Sequence, residues 1–583
     1  MKSTKISFKC ICGAILVATI GCSPLLAQSG RGNGNQGGGN GNHGGGNGNK
    51  GPVCIGNPNP PPGVNGFGVA IPVPVLNIAQ YLPGGTNEDP DVVFLIQRIQ
   101  QNYTNALEQL ATTSPGSSPA KFTQALGKAL IYDQKLSVNK NLACATCHID
   151  YSGFTGGSSF FNGTTSADPG SVPITNAAGK GPNWRISARR PQTYAYAPFS
   201  PVLHYNATQQ DFYGGNFWDM RAGGIRLGNP AAEQAQGPPT NPLEMANLDI
   251  ATYVYKLSKS DYASLFEEYW GIGSLSSITW PTNIETLAAT PGPPPTPDPV
   301  FAQLSQTDKN LVISAYDHAA MSMAAYEAGP EVSPFSSKFD FALANPTKSV
   351  LTKDELEGWN LFRGKAQCNA CHSDGTENIK KGKITPADAA NLAPLFTDFT
   401  SANIGTPQNF ALPFLYENNP DQFGYVANSA GLNYVDLGVG GFLSNTGFSH
   451  TIGQPSGPGI GTGVNPNPDW AALAPQFDGK IQVPTCRNVD FRPRPDFVKA
   501  YMHNGYFKDL KAVVHFYNTR DTLNGGVHLP AGGELEGCQY WPPPEVNANV
   551  DQTIGHLGLS DKEEDQIVAF MKTLTDGYVP SNP

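Results

Sequence analysis

The sequence predicts a mainly α-helical protein with two similarly organised domains and long irregular loops, and three observations predict it. Apolar residues recur at helical spacing in separate blocks from Asp91 onward. A five-residue motif, Cys-x-x-Cys-His, occurs at Cys144-Ala145-Thr146-Cys147-His148 and again at Cys368-Asn369-Ala370-Cys371-His372, each time behind a helical block. Gly (65) and Pro (51) exceed average usage in a chain of 583 residues, so long stretches must lie outside helices.

Lys2, Lys5 and Lys9 precede a short apolar stretch from Cys10 to Gly21. The order matches a secretory signal, and the stretch is too short to span a bilayer. Residues 1–27 are expected to be cleaved after Ala27. The alternative is lipidation at Cys22, for which Thr19 is a poor lipobox residue. Losing three lysines moves the net charge from −10 to about −13. No basic stripe remains, so nucleic acid is not an expected partner. No later stretch reads as a transmembrane segment. The expected location is the periplasm or the cell surface.

Residues 28–84 are expected to be a disordered tether, Gly/Asn-rich and then Pro-rich, because such composition buries no apolar surface. A first domain is expected at 85–345. Val92, Phe94, Leu95 and Ile99 open one helix, Pro119–Leu130 form a second, and helical patterns return at Leu248–Tyr269 and Thr307–Ala328. Residues 149–217 read as loops, and Pro291–Pro299 as a proline-rich excursion. A second domain is expected at 346–583. Thr352-Lys353-Asp354-Glu355 is a capping box that opens a helix toward the second motif. Residues 400–480 read as loops. Late helices are expected at Leu510–Tyr517 and Asp561–Leu574, the last behind the box Ser560–Glu563.

Two thiols and an adjacent imidazole at this spacing suit covalent haem. The thiols add across the two vinyl groups, and the histidine ligates iron from one face. Zinc would need further ligands at short spacing, which neither motif has. Two cytochrome c-like haem domains are therefore expected, with His148 and His372 as proximal ligands. An iron with two protein ligands moves electrons, whereas one with an open face can bind and cleave peroxide. Of the other cysteines, Cys486 and Cys538 are one disulfide option, leaving Cys54 odd; the pairing stays open.

An ordered set of segments resembles the bacterial diheme cytochrome c peroxidase family, which includes the MauG-type enzymes. The segments are Leu130–Ser137 with the first motif, Asn216-Phe217-Trp218-Asp219-Met220-Arg221-Ala222 (FWDGRA with Met for Gly), and Gln234-Ala235 with Glu244-Met245. Then come Phe396–Pro407, Val483-Pro484-Thr485-Cys486-Arg487-Asn488-Val489 (VPTLRNV) and Tyr501-Met502-His503-Asn504-Gly505 (MHDG). They span roughly residues 120–575 in order.

The resemblance implies a peroxide-reactive first haem and an electron-relaying second haem. It implies Glu244 as acid–base group, Gln234 as its distal partner, Trp218 as the aromatic between the haems and Arg221 as a propionate partner. Many relatives carry a distal His shortly after the first motif. Here no His lies between His148 and His204, so the first haem is expected to be open, with His204 a weak substitute. The helix Asp509–Tyr517 aligns with the second haem's distal ligand, which would be Tyr517, as in MauG-type members. Met502 and His515 are its rivals. The family's calcium uses an Asn where this chain has Ala188-Arg189-Arg190-Pro191, so calcium is doubtful.

The expected function is an exported diheme peroxidase that reduces hydrogen peroxide with electrons from a small cytochrome c or cupredoxin. One alternative is a MauG-type enzyme that oxidises Trp or Tyr residues of a partner protein. Another is a non-catalytic electron-transfer cytochrome.

Overall fold

A glycine lets two helices touch backbone to backbone, and this chain uses that contact twice. The computed structural model describes residues 90–156, 169–173, 184–294, 296, 298–375, 394–445, 465–522 and 541–580. The expected signal and tether, with Cys22, Cys54 and Cys538, lie outside these residues.

The described chain is mainly helical with only short strands. In the first half the helices are α1 (Pro90–Thr112), α2 (Pro119–Tyr132), α3 (Cys144–Cys147), α4 (Pro230–Ala235), α5 (Ile250–Leu257), α6 (Ala263–Trp270), α7 (Ile284–Ala288) and α8 (Gln306–Glu327). The block expected at Leu248–Tyr269 is two helices, α5 and α6. The polar run Ser258–Asp261 ends α5, and Tyr262, whose hydroxyl donates to Asp133 at 3.1 Å, turns the chain into α6.

In the second half follow α9 (Lys338–Ala344), α10 (Lys353–Arg363), α11 (Gly438–Ser444), α12 (Leu510–Thr519) and α13 (Asp561–Lys572). Both expected capping boxes form. Glu355 N–H donates to Thr352 Oγ1 at 3.2 Å, and Thr352 N–H donates back to the Glu355 carboxylate at 2.7 Å. Ser560 and Glu563 do the same at 3.3 and 2.7 Å.

The crossings carry the architecture. A Cβ on Gly127 of α2 would meet Ser322 O of α8 at 1.9 Å, and one on Gly358 of α10 would meet Gln566 O of α13 at 1.8 Å. Four residues further on, Tyr326 and Phe570 close over the glycines. Each crossing anchors an apolar core. Leu95, Phe122, Leu126, Val254, Phe266 and Tyr316 belong to the first. Phe339, Phe362, Phe396, Phe516, Ile567 and Phe570 belong to the second.

The loop-rich stretches bury one another. Leu203, Phe212 and Met220 pack with Val439, Phe442 and Phe477, and Ile186 packs with Leu412, Phe414 and Leu415. Three short antiparallel pairs brace them: β1 (Pro169–Pro173) with β2 (Trp184–Ile186), β3 (His204–Asn206) with β4 (Asp211–Tyr213), and β5 (Ser401–Ala402) with β6 (Ile481–Gln482).

Gly127→Ala and Gly358→Ala should each destabilise the folded protein by about 1–3 kcal/mol through overpacking. Denaturant unfolding of the two variants measures this. An alanine tolerated at no cost would contradict the close crossings.

Candidate active site

Each Cys-x-x-Cys-His motif forms one tight turn. His148 N–H donates to Cys144 O at 3.0 Å and His372 N–H to Cys368 O at 2.8 Å. Spacing of three and four residues then gathers both thiols and the imidazole on one face. The chain after the first motif curls back, with Phe154 N–H on Ile149 O at 2.9 Å. This brings Phe154 O to 3.1 Å from His148 Nδ1. A carbonyl can only accept, so Nδ1 carries the proton and Nε2 keeps its lone pair. His372 Nδ1 faces Pro484 O at 3.1 Å and Phe396 O at 3.2 Å in the same manner. Burial pushes His148 down to about 4 and lowers His372 as well, so both imidazoles are neutral at pH 7.

A cavity of about 180 Å³ opens beside the first motif. Cys144, Cys147, His148, Trp218, Arg221, Gln234 and Glu244 all line it, so the structure gathers every residue expected at the first haem. The segment bearing Glu244 is well fixed. Its backbone receives Ser171 N–H at 2.6 Å, and Asn247 Nδ2 ties the segment to Leu136 O at 3.0 Å. Asn241 Nδ2 donates to Glu244 Oε1 at 2.8 Å. Burial pushes the Glu244 carboxyl up to about 7, against the opposing pull of Arg221 and Asn241. It is therefore poised to exchange a proton near neutral pH.

The second cavity, about 210 Å³, is lined by Cys368, Cys371, His372, Met502 and Tyr517. Its wall also holds the apolar Leu510, Val513, Ile567 and Met571. Tyr517 and its rival Met502 both face it. His515 instead turns to Glu564, with Nδ1 2.9 Å from Oε1. His204 is exposed on β3 and stacks on Tyr213, away from the first cavity. Each cavity meets two thiols and a neutral imidazole. That combination fits covalent haem at both. Among the described residues no group of three or more His, Cys, Asp or Glu could hold a metal ion alone.

Trp218, Arg190 and Gln192 line both cavities. Trp218 lies at the tip of a turn closed by Asn216 N–H on Ala222 O at 2.9 Å. Its indole donates to Arg190 O at 2.8 Å, and the Arg190 guanidinium lies 5.4 Å from its ring. Met220, which follows Asp219 in this turn, has φ +63° and is fully buried. A left-handed non-glycine costs about 1–2 kcal/mol, which its packing must offset.

Beside this turn, Arg189 donates to Asp219 at 2.7 Å and to both oxygens of Asp436 at 2.6 and 2.7 Å. Burial opposes the Asp436 carboxylate, but Arg189 outweighs it and holds Asp436 well below the ordinary range. Arg221 also pairs with Asp219, at 2.8 Å, while facing the first cavity.

Sequence reasoning missed three residues. Arg189 was read only as a missing Asn. Cys486 was read only as a disulfide candidate, yet its buried sulfur lies 3.2 Å from His372 Nδ1. Glu327, the last residue of α8, lines the first cavity.

Residues 121–348 match the model of the family described as di-haem cytochrome c peroxidase. The chain is similar to the methylamine utilization protein MauG of Paracoccus denitrificans (strain Pd 1222), 28% identical over 456 residues that cover 78% of this chain and 88% of that protein. It is also similar to cytochrome c551 peroxidase of Nitrosomonas europaea, 26% identical over 279 residues, 47% of this chain and 60% of the other. The diheme peroxidase BthA from Burkholderia thailandensis E264 shares the fold, with a TM-score of 0.51 at 22% identity over 78% of this chain and 86% of that one.

Arg189→Met should cost about 3–5 kcal/mol at pH 7, because it removes the cation shared by two buried carboxylates and leaves only Arg221 on Asp219. Asp219 and Asp436 both titrate below their ordinary value of 3.8. Their stabilising contribution is thus present above that value and lost as pH falls through the depressed folded values. The gap between wild type and variant should narrow in that acid window. Unfolding curves at several pH values test this, and a pH-independent gap would contradict the charge pairing.

Proposed function

We propose that this chain, an oxidoreductase of the di-haem cytochrome c peroxidase family, reduces hydrogen peroxide at the first cavity with electrons that enter through the second. The observation that carries this reading is Glu244, an acid near neutrality in the same cavity as Cys144, Cys147, His148 and Gln234.

Cys144, Cys147 and His148 would hold the first haem, and Cys368, Cys371 and His372 the second, each pair of cysteines through thioether bonds and each histidine through Nε2. A haem in the first cavity supplies an iron that binds peroxide and exchanges electrons. Glu244 would take a proton from one peroxide oxygen and pass it to the other. The Gln234 amide orients the peroxide. Phe154 O, by holding the Nδ1 proton, raises the basicity of His148. Trp218, on the wall of both cavities, is the aromatic step for electrons between them. Tyr517 lines the second cavity and would be the second haem's other protein ligand. The donor is a small exported cytochrome c or cupredoxin. The chain works outside the cytoplasm, and among the described residues no helix is long and apolar enough to cross a membrane.

A second reading has its own support. A Tyr at position 517 faces the second cavity, and the match to MauG covers most of both chains. In that reading the oxidising equivalents are spent on Trp or Tyr residues of a partner protein. Fast peroxide turnover with a small donor favours the first reading. Oxygen-modified Trp or Tyr in co-purifying proteins, found by mass analysis, favours the second.

Glu244→Gln should slow peroxide consumption by about 100- to 10,000-fold with both haems still attached. Glu244 works as a base only when ionised, so the wild-type rate should rise as pH passes about 7, and this rise should vanish in the variant. Wild-type turnover by the variant would refute the assignment. Tyr517→Met should raise the potential of the second haem in a redox titration, because thioether ligation favours the reduced iron. An unchanged potential would remove Tyr517 as ligand.

A further inference from the structure

The two glycine crossings put the halves in register, and in that register one position does not match. Ser322 corresponds to Gln566 at the crossing, and Tyr326 to Phe570 over the glycine. Met323 and Ile567 both line their cavities. One residue beyond the aromatic, each helix turns a further side chain inward. In the second half it is Met571; in the first it is Glu327.

The same place thus holds a thioether in one half and a carboxyl in the other. Glu327 is 6% exposed, and its Oε2 has no hydrogen-bond partner among the described residues. It ends α8, where the negative end of the helix adds to the cost of a carboxylate. Burial holds it well above the ordinary carboxyl range, so it rests as a neutral acid. The titratable groups nearest it are Cys144 on α3 and Tyr194 on the loop beyond. Glu244 and Arg221 share the cavity lining. Cys144 and Tyr194 lie within electrostatic reach of it. An unpartnered buried acid destabilises the fold where a methionine would not, so its presence points to a use.

Hydrogen peroxide, two electrons and two protons give two waters. Glu244 only moves a proton from one oxygen to the other and supplies neither of the two consumed. We propose that Glu327 is the second proton-bearing group of the first cavity: it gives its carboxyl proton to the reacting oxygen as an electron arrives and regains one from solvent water. The electrons come from the donor. The proposal rests on the first cavity being the peroxide site.

The test uses the holoprotein with Glu327→Gln, which keeps the shape, and Glu327→Met, which copies the second half. Infrared difference spectra before and after one equivalent of peroxide report the carbonyl band of a protonated carboxylic acid. Stopped-flow spectra report the return to the resting state when reduced donor is added. Wild type should show a carboxylic-acid band that is lost on reaction and absent in both variants. The electron-consuming phase should be about tenfold slower or worse in both variants, the low side of what a general acid contributes. An unchanged band and unchanged phases in both variants would overturn the proposal and leave the Glu244 reading standing. A wild-type protein with both haems attached that does not react with peroxide would overturn that reading, and this proposal with it.

Discussion

An imidazole can offer its Nε2 lone pair only while the other nitrogen holds the proton, and in both halves a backbone carbonyl ensures it. Phe154 O does so for His148; Pro484 O and Phe396 O do so for His372. The loops that supply these carbonyls are irregular, and they must be held to a fraction of an ångström. Much of the surrounding structure is that support: the glycine crossings that set the helices behind each motif, and the loop stretches that bury one another.

The halves share this frame and diverge in what faces the cavities. The first cavity collects Gln234, Glu244 and Glu327. The second is walled by Leu510, Val513, Ile567 and Met571 beside Tyr517. Under the proposed function, Glu244 and Gln234 serve bond-breaking chemistry at the first cavity, and the apolar wall beside Tyr517 serves electron relay at the second. Trp218, shared by both walls, joins the two environments. Around it, the Arg189 pairs with Asp219 and Asp436 fix a turn that Met220 leaves strained.

The sequence made the helices legible where the apolar period ran on, as at α2 and α8, or where a capping box opened it, as at α10 and α13. It failed at the α5–α6 break, because four polar residues inside an apolar pattern look like an exposed helix face until Asp133 is seen to receive Tyr262. The cavity residues Glu244, Gln234, Trp218 and Tyr517 were readable only through the ordered family segments; spacing alone marks none of them. Glu327 carried no local signal at all. It closes an ordinary helical pattern, and its meaning appears only when α8 and α13 are set in register through Gly127 and Gly358. Cys486 was misdirecting for a like reason: in an oxidising compartment a lone thiol suggests a disulfide, while its contact with His372 depends on a loop 114 residues away in sequence.

Electron paramagnetic resonance of the resting ferric holoprotein tests the inequality of the two sites most directly. One high-spin signal and one low-spin signal, with the high-spin signal alone altered by peroxide, is the predicted result. Two low-spin signals that peroxide leaves unchanged would contradict an open first site and a closed second one.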